Sequence, residues 1–383
     1  MTLNILVTDG SFKQSLGIVR SLGSDGYKPY ILSSKKRSLC SFSKYSNSEI
    51  VLESNEYKNK LSEHLLNHSI SLIIVVGTNS FKNIVPLKND LKSIGVDIIS
   101  VDLDKLNMAF SKIDTYKFAD EIGIPIAKTF YPKSFLELKE LSYLITYPCV
   151  IKGLYEVGGN IVDYVYKEED LEKQYKKVCK EFKLTPENGL PMLQEYIPGY
   201  GCAFFAVYDK GECGLTFQHK RIREYPISGG ASVCAESYKS DLVQKYGKKL
   251  LDSLEWHGVA MVEFKLNSKG IPVLMEINPK FWGSCDLALE AGVNFPRAMV
   301  DIHLGKKVQY SEYYEYPFKY HWPLNDDILH GIKNPKKILD IFRDILNPSV
   351  RSNIWIRDFN PNIKLFFDFI KKTLIEVYRS IAK

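Results

Sequence analysis

Two short apolar segments, Val262-Glu263-Phe264 and Met275-Glu276-Ile277-Asn278-Pro279, each carry a carboxylate. A turn at residues 267–270 separates them, so they read as two strands that send their glutamates to the same side. Glu276 and Asn278 are two residues apart and share a strand face. An unpaired carboxylate on a buried strand costs roughly several kcal/mol, so an apolar strand carrying one needs a reason. Two carboxylates and an amide oxygen form a hard-oxygen set suited to Mg²⁺, with Mn²⁺ as a substitute, and phosphate oxygens can complete the shell. The plain alternative is a structural salt bridge.

Three further segments could serve the same chemistry. Val150-Ile151-Lys152-Gly153 ends a strand in a lysine, and Gly158-Gly159-Asn160 follow. An ammonium beside backbone N–H groups that no Cβ shields can surround phosphate oxygens. The order of lysine and glycines is the reverse of the GxxxxGK[ST] loop, and an ordinary strand lysine before a hairpin is the competing reading. Gln194-Glu195-Tyr196-Ile197-Pro198-Gly199 has the character of an interdomain hinge whose backbone can meet the edge of a purine while apolar side chains sandwich its ring. In Phe217-Gln218-His219-Lys220-Arg221-Ile222-Arg223, strand alternation puts His219, Arg221 and Arg223 on one face, a concentration of cation that repels itself without an anion. Gly229-Gly230-Ala231-Ser232 then offers a flexible loop for a carboxylate or a transferring phosphoryl group. A basic surface strand paired with acidic neighbours is the alternative there.

These residues need elements to hold them. Apolar runs at 4–8, 29–32, 72–76 and 97–101 read as buried strands, with helical spacing at 15–22 and 57–67 between them. Strand–helix alternation predicts a parallel sheet with helices on both faces. Asp9-Gly10-Ser11 follows the first strand without a GxGxxG fingerprint, which gives this layer a packing or substrate-side role. Lys13 is expected there, outside the phosphate pocket. An amphipathic helix is predicted over 111–122, ended by Gly123 and Pro125. Strands and turns from 192 to 276 suggest an antiparallel sheet, and after about residue 330 the chain turns helical and basic.

At 383 residues the chain is long enough for two or three domains. Its 45% hydrophobic and 25% charged residues are ordinary for a globular protein. A net charge of +6, with lysines scattered among acids, favours anionic ligands over a nucleic-acid interface. Seven cysteines without a CxxC pair fit a reducing compartment. With neither a signal-peptide run nor about 20 consecutive apolar residues, a cytoplasmic location is expected. Phe366, Phe367, Phe369, Ile370, Leu374, Val377 and Ile381 give the last helix an apolar side, with Lys371, Lys372 and Arg379 elsewhere. Such a helix is expected to pack on its own protein, and peripheral contact with a membrane surface is the alternative.

In order and spacing, the motifs over residues 1 to about 330 resemble the ATP-grasp superfamily, in particular the bacterial predicted carboxylate–amine ligases related to carbamoyl-phosphate synthetase and biotin carboxylase. The resemblance implies an α/β fold, α+β in its catalytic part. A Rossmann-like parallel domain would span 1–110, a small lid 111–190, a catalytic subdomain 191–330 and a helical extension 331–383. It implies that Lys112 and Lys152 hold ATP phosphates beneath a lid bearing Gly158 and Gly159. Glu195, Tyr196 and Ile197 would meet the adenine, while Glu263, Glu276 and Asn278 bind Mg²⁺. His219, Gly229, Gly230 and Ser232 would contact substrate, and Arg221, Arg223 and Lys280 would stabilise the acyl phosphate. Two departures stand out. Gly199-Tyr200-Gly201-Cys202-Ala203 lacks the acidic residue that holds ribose in many relatives, and Lys280 stands where many have arginine, without its bidentate fork. The implied activity is ATP-dependent joining of a small carboxylate to an amine through an acyl phosphate, in a monomer or homodimer. A carboxylase acting on bicarbonate and a free amine, or a non-catalytic ATP-binding regulator, are the rivals.

Overall fold

The computed structural model describes residues 3–155, 161–227 and 229–381, the side chains of 376–381 excepted. Strands β1 (Asn4–Val7), β2 (Tyr30–Ser33), β3 (Glu49–Val51), β4 (Ile70–Ile74) and β5 (Asp97–Ile98) form an all-parallel sheet in the order β3-β2-β1-β4-β5. Ile5, Leu6 and Val7 are fully buried, as parallel strands covered by helices on both faces must be. The helix Tyr57–Asn67 falls where its spacing predicts. β3 has only three residues, too few for any periodicity to betray it. At the point where strand order reverses, between β1 and β4, a crevice would normally receive a ligand. Here Asp9 fills it. Its backbone takes a left-handed φ of 57°, and its carboxylate accepts from the Gly77 N–H (2.7 Å) and the Ser80 hydroxyl (3.0 Å).

Strands β6 (Thr129–Phe130), β7 (Cys149–Lys152), β8 (Val162–Val165) and β9 (Met192–Glu195) make a small antiparallel sheet in the order β6-β9-β7-β8. β9 belongs here, with Gln194 opposite Val150, and not to the strands that follow it in sequence. Cys149, Ile151, Leu171, Tyr175 and Leu193 give this sheet and its helix Glu168–Phe182 a core of their own.

The large sheet contains β10 (Gly201–Asp209), β11 (Glu212–Tyr225), β12 (Ala231–Ser237), β13 (Gly258–Leu266), β14 (Pro272–Asn278), β15 (Lys319–His321) and β16 (Arg351–Ser352), in the order β14-β13-β10-β11-β12-β15-β16. Adjacent residues of β10 serve opposite faces. Phe204 joins a cluster containing Leu6, Ile73 and Val262, while Phe205 joins another containing Ile5, Val7 and Phe217. The N-terminal layer and the large sheet therefore share both hydrophobic clusters, and the small sheet reaches the first of them through Met192 of β9.

The segment after residue 330 is more than a helical extension. β16 runs parallel to β15 at the sheet edge. The fully buried Arg20 donates to the Asp358 carboxylate (2.9 Å) and the Asn353 carbonyl (2.8 Å), tying the first helix, Lys13–Ser24, to the C-terminal segment. Ser43 and the Lys44 N–H complete the Asp358 shell. The final helix Asn360–Ile381 does not bury its apolar side as expected; Phe366, Phe367 and Leu374 are 49%, 62% and 65% exposed.

Removing one partner of a buried ion pair strands the other charge, at a cost of about 3–5 kcal/mol. Arg20→Met should therefore lower the thermal unfolding midpoint clearly, whereas Lys60→Met, at an exposed pair with Glu56, should leave it unchanged. Equal midpoints for the two variants would show that Arg20 does not anchor the C-terminal segment.

Candidate active site

A cavity of about 640 Å³ lies between the small sheet and the large one, and it gathers nearly every chemistry-bearing residue singled out above. Its floor is built by β13 and β14, which are paired so that Glu263 stands directly opposite Glu276. Two carboxylates opposed across a ladder repel each other unless cations intervene. Three groups intervene. Lys112 Nζ lies 3.0 Å from Glu276, and the Arg221 guanidinium is hydrogen-bonded to Glu263. The buried Asn278 amide donates to Glu276 (2.9 Å) and Glu263 (3.3 Å), while its oxygen accepts from Lys280 (2.9 Å).

The two carboxylates respond differently. Burial pushes Glu276 up, but the Lys112 charge and the Asn278 bond outweigh it and hold the carboxyl well below its ordinary range. Glu263 is raised, because burial and the Glu276 charge outweigh the help of Arg221. This pair fits a divalent cation. The carboxylates already converge on the Asn278 amide, and turning that amide about its axis would present an oxygen instead of a nitrogen. Among the described residues no three His, Cys, Asp or Glu side chains cluster around a metal position. The set thus depends on Asn278 and on oxygens brought by a ligand.

Lys112 sits in the first turn of the helix Lys112–Glu121, which Ser111 caps by accepting from the Asp114 N–H (3.2 Å). The Lys112 N–H also donates to the Leu154 carbonyl of the small domain (3.0 Å), so this lysine bridges the two parts. Lys152, at the end of β7, donates to Gln194 Oε1 (2.6 Å), and Gln194 is in turn fixed by the Thr129 hydroxyl (3.0 Å). Burial, with Lys112 nearby, lowers the Lys152 pKa to about 8. Sequence reasoning passed over Gln194, although its place two residues before Tyr196 on a buried strand was a signal.

Glu195, Tyr196 and Ile197 line the cavity beside Val150, Tyr164 and Met275. The Glu195 N–H is committed to the Lys128 carbonyl (2.9 Å) and its carboxylate is exposed near the Lys128 N–H (3.5 Å), so a purine edge must find other backbone groups of the hinge. At the opposite end lie Gly229, Gly230, Ser232 and His219. A Cβ on Gly230 would fall 2.0 Å from the Tyr225 carbonyl carbon, which excludes any other residue there, and its carbonyl accepts from Arg221 (3.3 Å). His219 is buried, bonded to the Ser284 hydroxyl (2.9 Å), and lowered to about 3 by burial and by Arg221, so it is neutral near pH 7.

One expectation needs correction. His219, Arg221 and Arg223 are not a cluster awaiting an anion. Register shifts on either side of Arg223 turn it into a buried network with Asp327 (2.7 and 2.8 Å) and Asp344 (2.7 Å), away from the carboxylate pair. Lys13 is outside the cavity lining as expected, although it donates to the Ser232 carbonyl (3.0 Å) beside Trp322 and its neighbour Gln14 lines the cavity. His330 lines the cavity as well, and Asn334 and Lys337 bring to it the segment after 330, whose role the sequence left open. Gly158 and Gly159 lie outside the described residues. Arg223 aside, the cavity wall carries six lysines and arginines against four glutamates, an excess that suits a polyanion.

Residues 191–323 match the family described as ATP-grasp in the biosynthetic pathway with Ter operon. The carbamoyl phosphate synthase large chain of Methanosarcina mazei is 26% identical over 216 residues, 53% of this chain and 20% of that one. Its counterpart from Clostridium acetobutylicum is 24% identical over 229 residues, 58% of this chain and 21% of that one. The chain thus spans about a fifth of the length of these curated relatives. Among solved structures, biotin carboxylase from Campylobacter jejuni gives a TM-score of 0.70 at 16% identity, over 83% of this chain and 74% of that one. N5-carboxyaminoimidazole synthetase from Staphylococcus aureus gives 0.65 at 14% identity, over 83% and 82%. A biotin carboxylase domain from Hydrogenobacter thermophilus, solved with MgADP, ADP and bicarbonate, gives 0.67 at 16% identity, over 81% and 71%. These structural likenesses are likenesses of fold.

The lysine pair is costly to hold without a ligand. Lys152→Met should raise the unfolding midpoint of the ligand-free protein by removing a buried cation from beside Lys112. Gln194→Leu should lower it, by about 1.5–3 kcal/mol, because the Lys152 ammonium loses its acceptor. A destabilised Lys152→Met protein would show that this lysine serves the fold rather than a ligand.

Proposed function

On a chain that carries an ATP-grasp family domain homologous to the carbamoyl phosphate synthase large chain, we propose an ATP-dependent ligase that phosphorylates a small carboxylate and passes the acyl group to an amine. The observation that carries this reading is the lattice Lys112–Glu276–Asn278–Glu263–Arg221 on the cavity floor, where paired acids and surplus cations meet in one place. ATP lies with its base against Val150, Tyr196, Ile197 and Met275 and its phosphates toward Lys112 and Lys152. Mg²⁺, when bound by Glu263, Glu276 and Asn278, supplies neutralisation of the terminal phosphates. Cytoplasmic ATP is the natural source.

The substrate acid is held at the Gly229–Ser232 end by Lys280 and Arg221. Its oxygen attacks the γ-phosphorus, the bond from that phosphorus to the β–γ bridging oxygen breaks, and ADP departs. The amine lone pair then attacks the acyl carbon, the carbon–oxygen bond to phosphate breaks, and the amine releases a proton. Neutral His219 is suited to orienting a substrate and not to balancing its charge. The small sheet, which faces the large one across the cavity, is the part that closes over the nucleotide and excludes water.

A second reading takes bicarbonate as the acid, making the protein a free-amine carboxylase. It draws on the fold shared with the Hydrogenobacter thermophilus domain, which was solved with bicarbonate. ATP turnover that depends on added bicarbonate selects this reading, and turnover that depends on an organic acid selects the first.

Two outcomes are expected. Chromatography of spent nucleotide should give ADP and phosphate in equal amounts; stoichiometric AMP would contradict γ-phosphoryl transfer. Glu276→Ala should fold and lose at least about a hundredfold in turnover, the scale of other electrostatic catalytic groups. Normal turnover at saturating Mg²⁺ would remove Glu276 from the metal set.

A further inference from the structure

Among the described side chains of the helix Asn360–Ile381, Leu365 packs in the hydrophobic core and Asn362 is buried, and a row of large apolar side chains lies elsewhere. Ile363, Phe366, Phe367, Ile370 and Leu374 are each at least 37% exposed. At about 100° per residue they fall in one stripe, roughly 160° or more around the helix from Leu365 for most of its members. The stripe therefore looks away from the protein, over a length of about 17 Å. It continues into the segment that leads to the helix, where Ile356 is 88% and Phe359 57% exposed. Monomeric proteins rarely leave so much contiguous apolar surface in water without a use for it.

Charge decides between the occupants. Between residues 333 and 375 nine lysines and arginines stand against four aspartates. Two of those aspartates, Asp344 and Asp358, are consumed in buried ion pairs with Arg223 and Arg20. Lys364 pairs with Asp368 and Lys372 with Asp326, while Arg357 and Lys371 remain exposed beside the apolar stripe. A second copy of this chain would bring the same surplus of cations against it, and like charges facing each other oppose association. An anionic lipid surface instead neutralises the cations while its acyl boundary receives the phenylalanines and leucine.

We propose that the helix Asn360–Ile381, with the segment 354–359, is a monotopic anchor that lies flat in the interface of an anionic bilayer and holds the catalytic body at a membrane surface. The helix does not span, and among the described residues none is long and apolar enough to do so. This assignment is independent of the reaction proposed above.

The test is flotation of the full chain with vesicles of phosphatidylcholine alone or with about 30% phosphatidylglycerol. At low salt the protein should float with the anionic vesicles at least about tenfold more than with the neutral ones, and less at about 0.5 M salt. The triple variant Phe366→Ser, Phe367→Ser, Leu374→Ser changes exposed side chains only, so its melting curve should match wild type while flotation falls at least about fivefold. Three results overturn the proposal: no preference for anionic vesicles, flotation undiminished in the triple variant, or a wild-type dimer in sedimentation that the triple variant dissociates.

Discussion

Glu263 and Glu276 face each other across neighbouring antiparallel strands, and the rest of the cavity is arranged around the repulsion between them. Lys112 enters on a helix from one side, Arg221 on a strand from the other, and Asn278 wedges its amide between the two acids. Any one of these groups alone would leave a half-buried carboxylate without compensation. Together they keep Glu276 ionised and leave Glu263 the more easily protonated of the two. An arrangement that holds two acids together at a cost to stability is common where a metal or a reacting group is to be received.

The scaffold supports this floor rigidly and its cover less so. The large sheet and the N-terminal layer share both hydrophobic clusters, with Phe204 and Phe205 of one strand facing opposite sides. Arg20 with Asp358, and Arg223 with Asp327 and Asp344, then stitch the C-terminal segment onto both. The small sheet has its own core, and it joins the rest through Met192 in the larger cluster and through polar links such as the Lys112 N–H to the Leu154 carbonyl. Polar links of this kind can be remade after a movement, whereas a packed core cannot.

Much of this was legible in the sequence where a local rule sufficed. Glu276 and Asn278 share a face because strands alternate, and Lys112 and Lys152 lie where a helix start and a strand end put them. Arg223 misled because a two-residue alternation assumes an unbroken ladder, and bulges on both sides of it turn the side chain away. The contact of Lys13 with Ser232, some 219 residues away, is one that no local pattern encodes. His330, Asn334 and Lys337 carry no motif, and only the fold brings them to the cavity. The final helix shows the opposite failure. Its amphipathic pattern was plain, but which surface its apolar side meets is not a property of the pattern.

If the cavity receives MgATP through the carboxylate pair, thermal stabilisation reports it directly. At about 100 times its dissociation constant, a ligand that binds only the folded state adds about 2.7 kcal/mol. ATP with Mg²⁺ should raise the unfolding midpoint of the wild-type protein accordingly, ATP with a chelator should do far less, and Glu263→Gln with Glu276→Gln together should abolish the difference between the two. A midpoint that rises equally with and without Mg²⁺, or a Mg²⁺ effect that survives in the double variant, would contradict the assignment of this site.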